Sequence, residues 1–465
     1  EVYNKNGNLV GTSMTKAPMI DFSVVSRGGY ATLVGEQYIV SVAHNGGYTD
    51  ADFGAEGVNP DQHRFTYQIA KRNNYKPDQG RNHYDGDYHM PRLHKFVTEI
   101  EPIGMTPLVD GRVYANKEDY PERVRIGSGD QYWRTDKDEK TNANSSYLVA
   151  DAYRYLTAGN THTQSGNGNG TVNFSGNVVS PNHYGPLPTG GAQGDSGSPM
   201  FIYDAKKEKW LINGVLQSGN PFVGRGNGFQ LVREEWFYDE VYAKDIHTIF
   251  NPRTPKDRHY TFTDNKDGSG SVTAQDNKQY RVQIANYNLP NRKKEPIYTY
   301  DGNNYYSPAL SNGKNIAFID KGNGTITLTS NIDQGAGGLY FEGDFIVSPT
   351  KDETWKGAGI SISDESTVIW KVNGVENDRL SKIGKGTLHV KAKGINKGSI
   401  SVGDGTVILD QQADEAGQKQ AFKEVGIVSG RATVQLNSTD QVDPNNIYFG
   451  FRGGRLDLNG HSLTF

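Results

Sequence analysis

A chain of 465 residues is long enough for more than one domain, each with a core of its own. Apolar residues at 34%, charged residues at 22%, 56 glycines and 27 tyrosines argue against a disordered chain and for a soluble all-β protein. A formal charge of -4 without a basic block argues against nucleic acid as a partner, and no apolar run approaches the ~20 residues that span a bilayer.

Residues 1 to about 250 alternate short strands with long polar connections. Ala31-Thr32-Leu33-Val34 and Tyr38-Ile39-Val40-Ser41-Val42 read as a strand pair split by Gly35-Glu36-Gln37. Residues 157–195, rich in Gly, Asn, Ser and Thr, read as long surface loops, and Trp210-Leu211-Ile212-Asn213-Gly214-Val215-Leu216 as a largely buried strand. An all-β unit of this size, residues 1–255, fits a double β-barrel. Residues 256–307 form a connecting β segment with weak strands such as Arg281-Val282-Gln283-Ile284.

Over residues 308–465 the texture changes. Gly322-Asn323-Gly324-Thr325-Ile326-Thr327-Leu328 has echoes at Gly384-Lys385-Gly386-Thr387-Leu388-His389-Val390 and Gly403-Asp404-Gly405-Thr406-Val407-Ile408-Leu409, with looser copies from Gly430 and Gly454. The two nearest copies start 19 residues apart, about one coil of a parallel β-helix. Gly-x-Gly is then a corner, and no helix follows it to make a phosphate cradle. Val407, Leu409, Val434 and Leu436 should fill the coil interior. The chain opens at Glu1-Val2-Tyr3 without an initiator Met and closes at Leu463-Thr464-Phe465 in an apparent strand, so both ends read as cut from a longer polypeptide. Cysteine is absent, which removes disulfides and thiolate chemistry. On that feature two readings stay open: an exported chain kept free of disulfides so that it can cross an outer membrane unfolded, or a cytosolic protein that lacks cysteine.

The chemistry centres on Gly194-Asp195-Ser196-Gly197-Ser198-Pro199-Met200. A glycine two before the serine and one after allow a tight turn, which can aim the amides of Gly194 and Ser196 at one point as an oxyanion hole. Ser196 is the candidate nucleophile. His44, directly after the strand that runs into Val42-Ala43, is the candidate base among 11 histidines. The orienting acid should fall between them in the order His, Asp, Ser. Asp87, after the turn residue Gly86, fits; Asp85 is its rival, and Asp50 and Asp52 read as turn and strand-edge residues. His89 reads as structural. No metal constellation and no cofactor motif is visible.

These motifs, with Met19-Ile20-Asp21-Phe22-Ser23-Val24-Val25, Asn331-Ile332-Asp333-Gln334-Gly335-Ala336-Gly337-Gly338-Leu339 and Tyr448-Phe449-Gly450-Phe451-Arg452-Gly453-Gly454, resemble the serine protease autotransporters over essentially the whole chain. The similarity is greatest to the Hap-like adhesion and penetration proteins, which are related to the immunoglobulin A proteases. The resemblance implies a chymotrypsin-like double β-barrel protease domain followed by a right-handed parallel β-helix stalk. It implies a secreted or cell-surface serine endopeptidase of a bacterial passenger, exported through the outer membrane by a translocator barrel of the same polypeptide. Such a passenger cleaves itself free and takes part in adhesion. The partners implied are protein substrates, host extracellular proteins and neighbouring passengers.

Further roles follow from the same resemblance. Gly190, six before the nucleophile, would form the floor of the primary pocket, with Gln193, Gln217, Gly219 and Gly228 along its walls. No carboxylate stands in Gly190-Gly191-Ala192-Gln193, so a small or apolar residue before the scissile bond is expected, with Arg225 able to modify the pocket. In chymotrypsin relatives a free N-terminus pairs with the aspartate before the nucleophile, which leaves the partner of Asp195 open. Two other readings compete. One is an adhesin in which the β-helix carries the main function. The other is a β-helix polysaccharide lyase or hydrolase, which needs clustered carboxylates or Arg/Lys; Asp404, Asp410, Arg431, Arg455 and Asp457 are instead scattered.

Overall fold

The structure is a computed structural model, which describes all residues except 4–5, 46–47, 55–63, 77–85, 129–130, 134–146, 151–155, 162–164, 167–169, 174–188, 192, 220–226, 251–257, 286–295, 298–304 and 307–312. It is nearly all β, and its N-terminal half is built on two antiparallel sheets. The first orders five strands as Thr32–Gly35, Tyr38–Val40, Arg92–Leu93, Tyr67–Lys71 and Asp50–Ala51. Thr32 faces Val40 and Leu33 faces Ile39, so this hairpin turns at the glycine-led connection expected from the sequence. The second sheet orders seven strands as Thr157–Asn160, Arg123–Gly127, Pro199–Asp204, Lys209–Gly219, Asn227–Leu231, Thr171–Asn173 and Ser165–Gly166. Leu33, Ile39, Val40, Ile69 and Leu93 of the first sheet join Val124, Ile126, Phe201, Ile212 and Val215 of the second in one buried apolar cluster. Three strands of the second sheet fall in 157–173, a region expected to be loop. Their polar composition is offset by neighbours that supply the missing ladder bonds; Thr171, for instance, pairs with Gln230.

A short helical passage, 234–245, follows the last strand and packs Phe237 edge-on against Tyr38, ring centroids 5.0 Å apart. Its final residue, Asp245, accepts a hydrogen bond from the Tyr38 hydroxyl at 2.6 Å. The chain then passes straight into a 16-stranded sheet. Ile246–Ile249, from the segment assigned by sequence to the N-terminal unit, pairs in parallel with Asn315–Leu328. His259–Asp264 pairs with the same strand and leads the meander completed by Ser269–Ala274 and Gln279–Gln283, so the connecting segment widens the sheet.

From Asn315 onward the chain winds as a β-solenoid of about six turns. One track of parallel strands runs through Leu339–Pro349, Thr367–Trp370, Thr387–Val390, Gly405–Leu409, Ala432–Leu436 and Arg455–Asp457. In register along it, Val368, Leu388, Val407, Val434 and Leu456 form one inward row; Trp370, Val390, Leu409 and Leu436 form another. Val407, Leu409, Val434 and Leu436 are all buried, as the alternation predicts. Fully burying such a side chain contributes roughly 1.5–3 kcal/mol. Gly384 and Gly405 hold corners at φ +81° and +66°, and the equivalent corner before Thr367 is held by Glu365 at +64°. The buried Lys382 fills the turn between two corners, donating to the carbonyls of Gly384, Gly386 and Asp404 at 2.7, 2.6 and 2.8 Å.

The N-terminal unit is seated on this stalk through residues 92–101. Arg92, 1% exposed, donates to the carbonyls of Gly313 (2.7 Å) and Ala336 (3.0 Å). Lys95 bridges Asp378 at 2.7 Å and donates to the Gly357 carbonyl at 2.6 Å. Phe96 donates its amide to the Ala358 carbonyl and buries its ring with Ala358 and Ile383. Thr98 hydrogen-bonds Ser401 at 2.8 Å, and Arg379 reaches the Tyr67 hydroxyl at 2.7 Å.

Candidate active site

Strand Tyr38–Val40 delivers Ser41-Val42-Ala43-His44 to the junction of the two sheets, and the nucleophile loop arrives there just before Pro199–Asp204. His44 Nε2 lies 2.8 Å from Ser196 Oγ. Its Nδ1 is hydrogen-bonded to Asp87 Oδ2, and its amide donates to Asp87 Oδ1 at 2.8 Å. Two bonds from one carboxylate to one residue fix both the backbone and the ring. With Nδ1 carrying the proton shared with Asp87, Nε2 is free to accept one from Ser196. The Asp87 side chain is 5% exposed and that of His44 23%, so the carboxylate is shielded while the imidazole is partly open to solvent.

The loop glycines are dictated by close approach. Gly194 has φ +96° and Gly197 +84°. A Cβ on Gly197 would lie 2.0 Å from Ser41 Oγ and 2.5 Å from the Tyr30 carbonyl, so the loop is pressed against the strand that carries the base. Gly197 N donates to Leu216 O at 2.8 Å and Leu216 N to Ser198 O at 2.9 Å, which pins the turn to strand Lys209–Gly219. Among the described residues neither the Gly194 nor the Ser196 amide donates a hydrogen bond. Asn45, unremarked in the sequence, holds the Ser196 carbonyl at 3.1 Å.

The rival carboxylates fall out of place or out of view. Asp85 lies outside the described residues. Asp50 is an exposed strand end, and Asp52 is occupied by Arg27 and Arg64 at 3.5 and 3.1 Å. His89 is fully buried behind the site, with Nε2 2.6 Å from the Tyr48 hydroxyl. Burial, then the Arg72 guanidinium, then His44 push it well below the usual histidine range, so it stands neutral beside the base.

Asp195 has a partner that the sequence did not reveal. Arg125, on strand Arg123–Gly127, lies 3.2 Å from Asp195 Oδ2, and both side chains are 0% exposed. The strand reads Arg123-Val124-Arg125-Ile126-Gly127, an alternation that suggests an outward polar face, yet both arginines are buried, and a buried cation demands a nearby anion. Pairing of Arg125 with Met200 in the sheet places it beneath the loop.

Around the expected pocket, Gly190 and Gly228 are buried, Gln193 and Gly219 exposed, and Gln217 half-buried. Gly191 is clamped by Asn227, whose Oδ1 accepts its amide at 2.7 Å and whose Nδ2 donates to its carbonyl at 3.1 Å. Gln217 accepts from Gln230 at 2.7 Å. Ala192 and Arg225 lie outside the described residues. On the stalk, Asp404 pairs with Arg431 (3.3 Å), Asp457 with Arg455 (3.6 Å) and Asp410 with His389 (2.8 Å). These residues stand as separate pairs rather than as the carboxylate cluster a lyase needs.

Residues 1–235 match the family model described as immunoglobulin A1 protease. Over its whole length the chain is 70% identical to an adhesion and penetration protein autotransporter of Haemophilus influenzae, covering 34% of that protein. It is 39% identical to an immunoglobulin A1 protease autotransporter of the same species, covering 28% of it. The crystal structure of the Haemophilus influenzae Hap adhesin superposes with a TM-score of 0.89 at 59% identity, all of this chain matching 49% of that one. The chain therefore spans about a third of the length of the curated relatives it matches.

Proposed function

The chain belongs to the immunoglobulin A1 protease family of peptidases, and from that premise we propose that it is the protease-bearing part of an exported autotransporter passenger, a serine endopeptidase acting through Ser196, His44 and Asp87. The observation that carries this reading is the unbroken hydrogen-bonded line from Asp87 through the His44 ring to Ser196 Oγ. His44 Nε2 takes the Ser196 proton as Oγ attacks the peptide carbonyl. Asp87 stabilises the imidazolium, and the Gly194 and Ser196 amides receive the oxyanion, where one donor is worth about 10²–10³ in rate. His44 then protonates the leaving amine, and water repeats the cycle on the acyl-enzyme. The clamp of Asn227 on Gly191 and the absence of a carboxylate at Gly190 and Gly191 support a pocket for a small or apolar residue. Efficient cleavage after Lys with none after Leu or Phe would overturn that preference.

Protein substrates are the partner class this chemistry fits; host extracellular proteins and neighbouring passengers are its proposed sources, and a translocator barrel of the same polypeptide its route to the cell surface. The name of the adhesion and penetration relative and the long regular face of the β-helix favour an adhesive role beside proteolysis. The endopeptidase reading is tested with a covalent serine-reactive probe. The wild type should label and Ser196→Ala should not; equal labelling of the two sinks the assignment.

A further inference from the structure

The guanidinium of Arg125 touches two parts of the site at once. It meets Asp195 Oδ2 and Ser198 Oγ, each at 3.2 Å, on the nucleophile loop. It also donates to Thr189 Oγ1 at 3.2 Å and to the Gly190 carbonyl at 3.0 Å, in the segment expected to form the pocket floor. Gly127 leaves room for this arrangement, since a Cβ there would lie 2.0 Å from Asp195 Oδ1 and 2.4 Å from Arg125 Nη2. A carboxylate buried this completely requires a fixed cation. With Asp195 held inward, the backbone on either side of it is fixed, and with it the amides of Gly194 and Ser196. If Asp195 swings out, that arrangement and the oxyanion site are lost together.

Resting on the endopeptidase reading, we propose that Arg125 is the internal counter-ion that sets the nucleophile loop, so that the active arrangement needs no α-amine released by N-terminal cleavage. Arg125 is a positioning residue: it touches neither substrate nor reacting atoms. Asp195 is the charged group in contact with it among the described residues, its other partners there being neutral. A guanidinium keeps its charge at any pH at which proteins stay folded, whereas an α-amine or a lysine loses it in the alkaline range. The two kinds of lock therefore give different pH profiles.

The test follows the rate of labelling by a fluorophosphonate probe from pH 7 to pH 10.5. It compares the wild type, the wild type with a short N-terminal extension, Arg125→Met and Arg125→Lys, each checked for folding by circular dichroism. The wild type and its extended form should label at equal rates, without an alkaline decline tied to this pair. Arg125→Met should label about 100-fold more slowly, the scale of a lost oxyanion donor. Arg125→Lys should recover much of the rate near pH 7.5 and lose it as the ammonium, ordinarily near 10.4 and lowered by burial, gives up its proton. A folded Arg125→Met within about threefold of the wild type, or loss of labelling on N-terminal extension, overturns the proposal. If Arg125→Met does not fold, the Lys variant decides: an added alkaline limb supports the proposal and a wild-type profile refutes it. Failure of the wild type itself to label sinks the endopeptidase reading, and this inference with it.

Discussion

Replacing Phe96 by Ala should loosen the seat between the N-terminal unit and the stalk without touching the triad. The Phe96 ring is fully buried against Ala358, Ile383 and Tyr340, its centroid 5.3 Å from that of the tyrosine. It lies so close to the coil backbone that a Cβ on Gly338 would meet it at 2.3 Å and one on Gly359 at 2.9 Å. Phe→Ala in a core costs roughly 3–5 kcal/mol, more where the surroundings cannot collapse. Gly338 and Gly359 flank parallel strands fixed on both sides, so little collapse is available and about 4 kcal/mol is expected. At about 1.4 kcal/mol per tenfold, that is about 10³-fold faster amide exchange where the opening is local. Hydrogen exchange with mass spectrometry on peptides spanning 92–101 and 354–362 reads it directly, while probe labelling of Ser196 should stay within about twofold of the wild type. Exchange accelerated less than tenfold in both peptides would show that the ring does not hold the seat.

Three further outcomes follow from the same geometry. Asp87→Asn should keep the bond to the His44 amide but present an NH₂ to Nδ1, so the proton moves to Nε2 and kcat falls about 10⁴-fold with KM little changed, as steady-state peptide hydrolysis would show. Lys382→Met should take the side-chain donor from the Gly384 and Asp404 carbonyls, at about 1–3 kcal/mol for each one left unsatisfied, while the Gly386 carbonyl keeps the Thr406 amide at 3.3 Å; the thermal midpoint of the stalk in circular dichroism should fall. His94 is lowered to about 3, first by burial and then by Lys95 and Arg379. The unfolded chain takes up that proton near pH 6.5 and the folded one only near 3, so stability should fall across this window by up to about 1.4 kcal/mol per pH unit. His94→Gln should flatten the slope in urea titrations at successive pH values, and an unchanged slope would exclude His94 as its source.

The glycine-flanked Ser196 loop and the approach to His44 were legible as a candidate site because both impose local backbone demands. A left-handed Gly194, a Gly197 pressed on Ser41 and small residues before His44 leave marks within a few positions of the side chain concerned. Arg125 left none: it meets Asp195 from a strand 70 residues away in the chain, and its alternation with Arg123 reads as an exposed polar face. The β-helix shows the same division. Corners built on Gly-x-Gly announced their coils, whereas the coil entering Thr367 turns on Glu365 and the one entering Phe345 on Gly343 alone, so both escaped the repeat. The strands within 157–173 and the meander over 259–283 are polar at every second position or more, and only their partners in the sheet make them strands.

The contacts of Arg92, Lys95, Gln37 and the Phe96 amide share a trait: several of their acceptors are main-chain carbonyls, those of Gly313, Ala336, Gly357 and Ala358. A carbonyl is offered by any amino acid, so the seat is keyed to the path of the coils more than to the identity of their side chains. Outward-facing stalk positions can drift in sequence, provided the small residues that admit Phe96 stay small. A single insertion or deletion in the coils near Ala336 or Ala358 shifts every later acceptor by one position and unseats the whole strip. Variation among proteins that share this seat should therefore accumulate as substitutions on the exposed stalk faces, with length changes pushed out to corners far from residues 92–101.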